Sequence, residues 1–249
     1  MNLSGKVALI TGGRRVGGQL ARMLAARGVS IALTYRTSRG AIEQTLEEVR
    51  SLGVPGLAIA ADLTDPDQAE HAAEETVARL GRLDVLVSMT SVFERTPFDA
   101  LVPAQFDAMI AANLAAPYHT AIASARRMRL QPPENGVQGK IVFVGDWASE
   151  RPYTDYLPYL VAKGALKTLT MALARELAPG IAVNLVQPAM IDPPPDMTED
   201  EIADVIAQTP LDRVGTPGDL NRLILYLLEG TDFATGAAYR VDGGRFLGT

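Results

Sequence analysis

Lys6-Val7-Ala8-Leu9-Ile10-Thr11-Gly12-Gly13-Arg14-Arg15-Val16-Gly17-Gly18 is the stretch whose reading decides the fold. A short apolar run ends in a glycine-rich turn, and an amphipathic segment follows over residues 17–27. Turns of this kind let backbone N–H groups approach a pyrophosphate at a helix N-terminus. The same glycines also make a tight strand-to-helix turn that holds no ligand, and it is the βαβ context that favours the ligand. Gly12, Arg14, Arg15 and Val16 are the candidate cofactor contacts here.

Outward from this unit the pattern repeats. Apolar runs at residues 6–11, 30–35, 57–61, 85–88, 140–144, 182–186 and 238–241 read as buried strands. Helical periodicity fills residues 17–27, 40–52, 67–80, 104–129, 156–177 and 217–228. Alternation of this kind predicts an α/β fold: a doubly wound, seven-stranded parallel sheet with helices on both faces. No composition shift divides the chain, so residues 1–249 are expected to form one dinucleotide-binding domain. Two segments interrupt the order. Residues 130–139 read as an exposed, tolerant loop, and residues 191–209, after the sixth strand, as either a substrate lid or a surface excursion.

Composition narrows the function. The 249 residues carry 29 acidic and 23 basic side chains, a net charge of −6 that argues against a nucleic-acid surface. No cysteine and only two histidines leave no disulfide, no thiol nucleophile and little material for a metal site, so no metal is expected. There is no secretory apolar region and no run near the roughly eighteen residues of a membrane span; a cytoplasmic protein without membrane contact is expected.

The second strand ends Thr34-Tyr35-Arg36. Sites that prefer NAD usually carry an acidic residue near this point for the ribose 2′-hydroxyl. Here no carboxylate repels a 2′-phosphate, and Arg36 with Arg14 or Arg15 offers charged contacts to one, so NADP(H) is the expected cofactor. Asp62-Leu63 follows the third strand, where Asp62 either accepts from an adenine amino group or caps the next turn. Tyr159 and Lys163, four apart on a helix, share one face. A neighbouring ammonium favours the phenolate, so Tyr159 is expected to titrate below its ordinary value near 10 and to serve as general acid or base.

Together, the glycine turn, Asp62-Leu63, Asn113, Tyr159-Leu160-Val161-Ala162-Lys163 and Val241-Asp242-Gly243-Gly244 resemble the short-chain dehydrogenase/reductase family over essentially the whole chain. That resemblance implies a Rossmann fold and a homotetramer built on residues 104–129 and 156–177. It implies Tyr159 as proton donor, Lys163 holding tyrosine and nicotinamide ribose, Asn113 supporting a water, and Thr90 and Pro188 among the cofactor contacts. The family's usual serine, thirteen positions before the tyrosine, is replaced by Asp146. An ionised aspartate only accepts hydrogen bonds, which disfavours simple ketone reduction, unless Asp146 points away or Ser149 takes over. An Asp-Tyr-Lys set resembles the pteridine reductase and dihydromonapterin reductase subgroup, as do Thr34-Tyr35-Arg36-Thr37 and the run from Tyr159 to Leu166. The subgroup implies a pterin as small-molecule substrate, Ser91 and Phe93 contacting it, and Phe93 stacking its ring; Trp147 is a second candidate wall. Ser88-Met89-Thr90 departs from the family's Asn-Asn-Ala, as Val16 does from its middle glycine.

Overall fold

A computed structural model describes residues 1–12, 14–193 and 197–248. Gly13 of the glycine turn, residues 194–196 of the second interruption and Thr249 lie outside the described residues. Seven strands, β1 (Val7–Thr11), β2 (Ser30–Tyr35), β3 (Gly56–Ala60), β4 (Val85–Ser88), β5 (Gly139–Val144), β6 (Ile181–Pro188) and β7 (Ala238–Val241), form one parallel sheet. Their order is β3-β2-β1-β4-β5-β6-β7, every neighbouring pair parallel. The central strands are covered on both faces, which is why they read as unbroken apolar runs rather than alternating ones.

Helices α1 (Val16–Ala25), α2 (Arg39–Ser51) and α8 (Pro217–Leu225) pack one apolar layer through Leu20, Ile42 and Leu220. Helices α3 (Pro66–Leu80), α5 (Ala116–Met128) and α6 (Leu157–Leu177) pack the other through Ala69, Ala121 and Leu166. The start of α3 is written in its chemistry: Asp65 caps the first turn by accepting from the Asp67 N–H, Pro66 follows, and Gly81 closes the helix in the left-handed region.

One expectation is corrected and the two interruptions gain detail. The long middle helix is two, α4 (Pro103–Ile110) and α5, joined by a π-helical turn over Ala111–Ala115 that contains the buried Asn113. The second interruption holds a helix, α7 (Glu199–Ala207), opened by a reciprocal capping box between Thr198 and Glu201. The first interruption is a tight turn on Asn135 and Gly136, both at positive φ, held by a Glu134–Val137 bridge and by Lys6 Nζ at 2.6 Å from Glu134. Strand order reverses between β1 and β4, and the crevice at such a reversal is where open α/β sheets take ligands.

Candidate active site

A cleft of about 580 Å³ opens above the carboxyl ends of β1, β4, β5 and β6. At its centre Gly12 turns with φ of +74°, and a Cβ there would lie 3.0 Å from the Met89 carbonyl carbon and the Thr90 nitrogen. At Gly17 a Cβ would sit 2.6 Å from the Gly12 oxygen, so both positions require glycine. Thr11 Oγ1 accepts from the N–H groups of Met89 (3.1 Å) and Thr90 (3.3 Å), tying the ends of β1 and β4. This hydroxyl supplies the tether that Ser88-Met89-Thr90 lacks in its side chains. On the far side, Asn221 Nδ2 donates to the Val16 carbonyl at 3.1 Å and fixes the other end of the turn from α8. The N-cap position of α1 is Arg15, whose side chain caps nothing, and its first turn carries no acidic residue. Such an end leaves backbone donors and the positive pole of the helix for an anion.

Of the candidate cofactor contacts, Gly12, Arg14, Arg15, Val16, Tyr35, Arg36, Asp62, Leu63, Thr90 and Pro188 all line the cleft, as do Tyr159 and Lys163. Of the alternatives Arg14 and Arg15, the second is engaged elsewhere by its side chain. Arg15 turns to the segment after β6, its Nε donating to Asp192 Oδ2 at 2.8 Å and its Nη2 to the Asp192 carbonyl. Arg36 faces the cleft, 3.8 Å from Asp62. Asp62 accepts at Oδ1 from the Thr64 hydroxyl and N–H, bonds that hold its carboxyl below the ordinary value of 3.8. It thus shapes its own turn, while Asp65 caps α3.

The catalytic candidates meet at the other end. Tyr159 Oη donates to Asp146 Oδ2 at 2.7 Å, and the Ala148 N–H donates to Asp146 Oδ1 at 2.8 Å. Asp146 therefore does not point away. Ser149 does not replace it: the Ser149 hydroxyl donates to the Asp146 main-chain carbonyl and accepts from Gln187. Lys163 is wholly buried, with Nζ 3.0 Å from the Val144 carbonyl and 5.7 Å from the Tyr159 ring centre.

This geometry reverses the expected electrostatics. Burial, then the Asp146 charge and the hydrogen bond to it, push the Tyr159 phenol well above 10 rather than below. Burial likewise raises Asp146 above 3.8 and lowers Lys163 from 10.5 to about 8. Desolvation of three groups outweighs the attraction between them.

Asn113, in the π-helical turn, is saturated as a side chain. Its Oδ1 accepts from the Ser91 hydroxyl (2.8 Å) and the Val92 N–H (3.2 Å), and its Nδ2 donates to the carbonyls of Val92 and Met109. The amide therefore positions the Ser91–Val92 corner and has no donor or acceptor left over for a water. Ser91 lines the cleft; Phe93 and Trp147 do not. Phe93 is half exposed, stacked on Tyr156 with ring centres 4.4 Å apart, and edge-on to Tyr159 at 4.9 Å. Tyr153 and Tyr156 complete this aromatic cluster and escaped the sequence reading, although both lie within six positions of Tyr159.

A family model described as Enoyl-(Acyl carrier protein) reductase matches residues 13–245. A short-chain dehydrogenase/reductase from Serratia marcescens superposes with a TM-score of 0.90 at 31% identity, covering 99% of this chain and 100% of that one. The chain belongs to the short-chain dehydrogenase/reductase family. Versicolorin reductase 1 of Aspergillus parasiticus is 30% identical over 98% of this chain and 97% of its own. Cyclohexanol dehydrogenase of a Rhodococcus species is 33% identical over 97% and 96%. As a short-chain dehydrogenase/reductase the protein is an oxidoreductase whose cofactor is NAD(P)(H), which supplies or accepts a hydride when bound. The donor set fits that group: glycines that admit no side chain, an uncapped helix end, and guanidinium groups where a nucleotide phosphate would lie. These relatives do not single out the pteridine reductase subgroup. No helix of the described residues is long and apolar enough to cross a membrane.

Proposed function

We propose that the protein is an NADPH-dependent reductase of ketone or acyl carbonyl groups, able to run in reverse on alcohols, in which Asp146 and Tyr159 share the transferable proton. The observation that carries this reading is the 2.7 Å hydrogen bond between the two in a corner where burial raises both. Asp146 ionised would fix the Tyr159 proton on itself. Asp146 protonated donates to the phenol oxygen, and the Tyr159 O–H is released to a substrate oxygen that gains charge. In its protonated form, which burial favours, the carboxyl does as donor what the family's serine does, and in that form the objection to a carbonyl substrate is removed. The Lys163 ammonium offsets the negative charge left on the pair as the proton leaves. Arg14 and Arg36, with no acidic residue at the end of β2, support NADPH over NADH.

The sign of the pH dependence follows. The pair keeps its proton to higher pH than an ordinary carboxyl, and reduction falls as pH rises through that raised value. Following NADPH absorbance with cyclic ketones, acyl thioesters and dihydropterins tests the proposal. Turnover of the first two is expected, with an alkaline limb that moves in Asp146→Ser. Turnover confined to dihydropterins would establish the second reading, reduction of a pterin C=N bond. That reading has one observation in its favour: an aspartate able to accept from ring N–H groups and a half-exposed phenylalanine both contact Tyr159. It predicts that Asp146→Ser raises ketone activity. We also propose a homotetramer over α4, α5 and α6, supported by the exposed Tyr118, Val161 and Met171; a monomeric mass by light scattering would refute it.

A further inference from the structure

We propose that a second cavity, about 370 Å³ and walled by Arg213, Arg222, Arg240 and Arg245, is a subsite for a carboxylate or phosphate group carried by the substrate, with Arg245 as its anchor. The proposal deepens the carbonyl-reductase reading and rests on it. Four arginines lining one cavity are an exception in a chain of net charge −6. Among the described residues Asp219 and Asp242 are the carboxylates that line this cavity, and both are spent; Asp146, whose charge also acts on Arg245, is engaged by Tyr159 and the Ala148 N–H. Asp219 accepts from the Thr216 N–H and hydroxyl and pairs with Arg213 and Arg222. Asp242 accepts from the N–H groups of Gly244 and Phe246. Arg240 lies with its guanidinium carbon 3.7 Å from the Phe246 ring centre.

Arg245 is the under-satisfied member. Its Nε is buried and has no partner among the described residues, and its Nη2 reaches Gln208 Oε1 only at 3.4 Å. A buried guanidinium N–H without an acceptor is costly, and a planar oxyanion satisfies Nε and Nη2 together. The location ties this deficit to the chemistry. The Arg245 guanidinium sits 5.2 Å over the Trp147 ring, and Trp147 directly follows Asp146. Ala189 lines both this cavity and the cleft. A substrate whose carbonyl reaches Tyr159 and whose tail bears an oxyanion therefore has an acceptor-poor arginine one residue from the proton donor pair.

Trp147 is the only tryptophan, so its emission reports on this place without turnover. Cofactor-free protein is titrated with levulinate and its longer oxo-acid homologues, with their methyl esters, and with inorganic phosphate. A saturable emission change with the oxo acids, absent with the esters, lost in Arg245→Gln and partly restored in Arg245→Lys, is expected. In the kinetic arm, Arg245→Gln lowers the kcat/KM ratio of oxo acid to ester by roughly 10- to 100-fold, the worth of a charge-assisted hydrogen bond. Saturation by phosphate but by none of the oxo acids would reassign the subsite to a free anion and overturn the substrate-borne source. No anion response in the wild type, or one that persists in Arg245→Gln, would overturn the subsite itself. Binding that depends on Arg245 with no reduction of any carbonyl would uphold the subsite and defeat the carbonyl reading.

Discussion

Around Gly12 and Arg36 the cleft wall is main chain and exposed guanidinium, whereas around Asp146, Tyr159 and Lys163 it is ionisable side chain taken out of water. At the first end the charges stay solvated and cost the fold little, so their effect is felt when a phosphate arrives. At the second end the protein carries the cost of burial before any ligand binds, and that cost sets the protonation states. Substitutions should therefore separate cleanly: large effects on chemistry and stability at the buried end, modest effects on ligand choice at the exposed end.

The largest effect is expected from Tyr159→Phe, which keeps the ring against Phe93 and removes the proton. Loss of a general acid is worth about 10²- to 10⁴-fold in kcat. Single-turnover rates should fall in that range while cofactor affinity holds; a fall in affinity with kcat preserved would mean that Tyr159 only positions ligand.

Lys163→Met comes next and should act in two directions. With its pKa lowered from 10.5 to about 8, Lys163 is charged at pH 7 at a cost near 3 kcal/mol, at about 1.4 kcal/mol per unit. Removing the bond to the Val144 carbonyl returns about 1 kcal/mol of that. The variant should be inactive yet about 2 kcal/mol more stable at pH 7. The sign of the linkage is definite. Between pH 8 and 10.5 the unfolded chain binds more protons at this lysine than the folded one, so its contribution makes stability rise with pH there. Denaturant melts of both proteins at several pH values test this, and a variant less stable at pH 7 would show that Lys163 supports the fold.

That contrast also explains what was legible in the sequence. The strands were readable because burial on both faces writes continuous apolar runs, and β2, β4 and β7 fell where they were expected. The residues of the buried corner were readable as types at a spacing. Their electrostatics were not, because the i,i+4 relation of Tyr159 and Lys163 says nothing of desolvation, which proved the largest influence on each. The π-helical turn was hidden because a helix with one inserted residue keeps almost the same apolar period through Asn113. Helix α7 is signalled in the sequence only by the capping box of Thr198 and Glu201, because nine residues give too few turns for a clear apolar period. Thr11, Asn221 and Arg245 carried no motif, and only their tertiary partners give them a role.

At the exposed end, Arg36→Glu should invert cofactor preference. A guanidinium that attracts a 2′-phosphate becomes a carboxylate that repels it, and the ratio of kcat/KM for NADPH over NADH should fall by about 100-fold. High salt should shrink the wild-type ratio, since the contact is solvated. An unchanged ratio would remove Arg36 from the phosphate site.

The smallest effect is expected from Arg15→Ala, and it is the sharpest discriminator of the two arginine roles. Arg15 is committed to Asp192, with both side chains nearly half exposed, and such pairs contribute about 0–1 kcal/mol. The segment it grips is held independently, since the Asp192 N–H donates to the Gly215 carbonyl and Ile191 bridges to Gly215. Stability should therefore move by less than about 1 kcal/mol. Were Arg15 a phosphate ligand, its loss would lower the NADPH-to-NADH ratio as Arg36→Glu does. As a tie between the glycine turn and the chain beyond β6, its loss should leave that ratio unchanged and raise KM for both cofactors together by about 2- to 5-fold. Asp192→Asn, which leaves Arg15 free to turn toward the nucleotide, should then raise the ratio, and measuring both variants with both cofactors separates an arginine that reads the phosphate from one that holds the wall of its site.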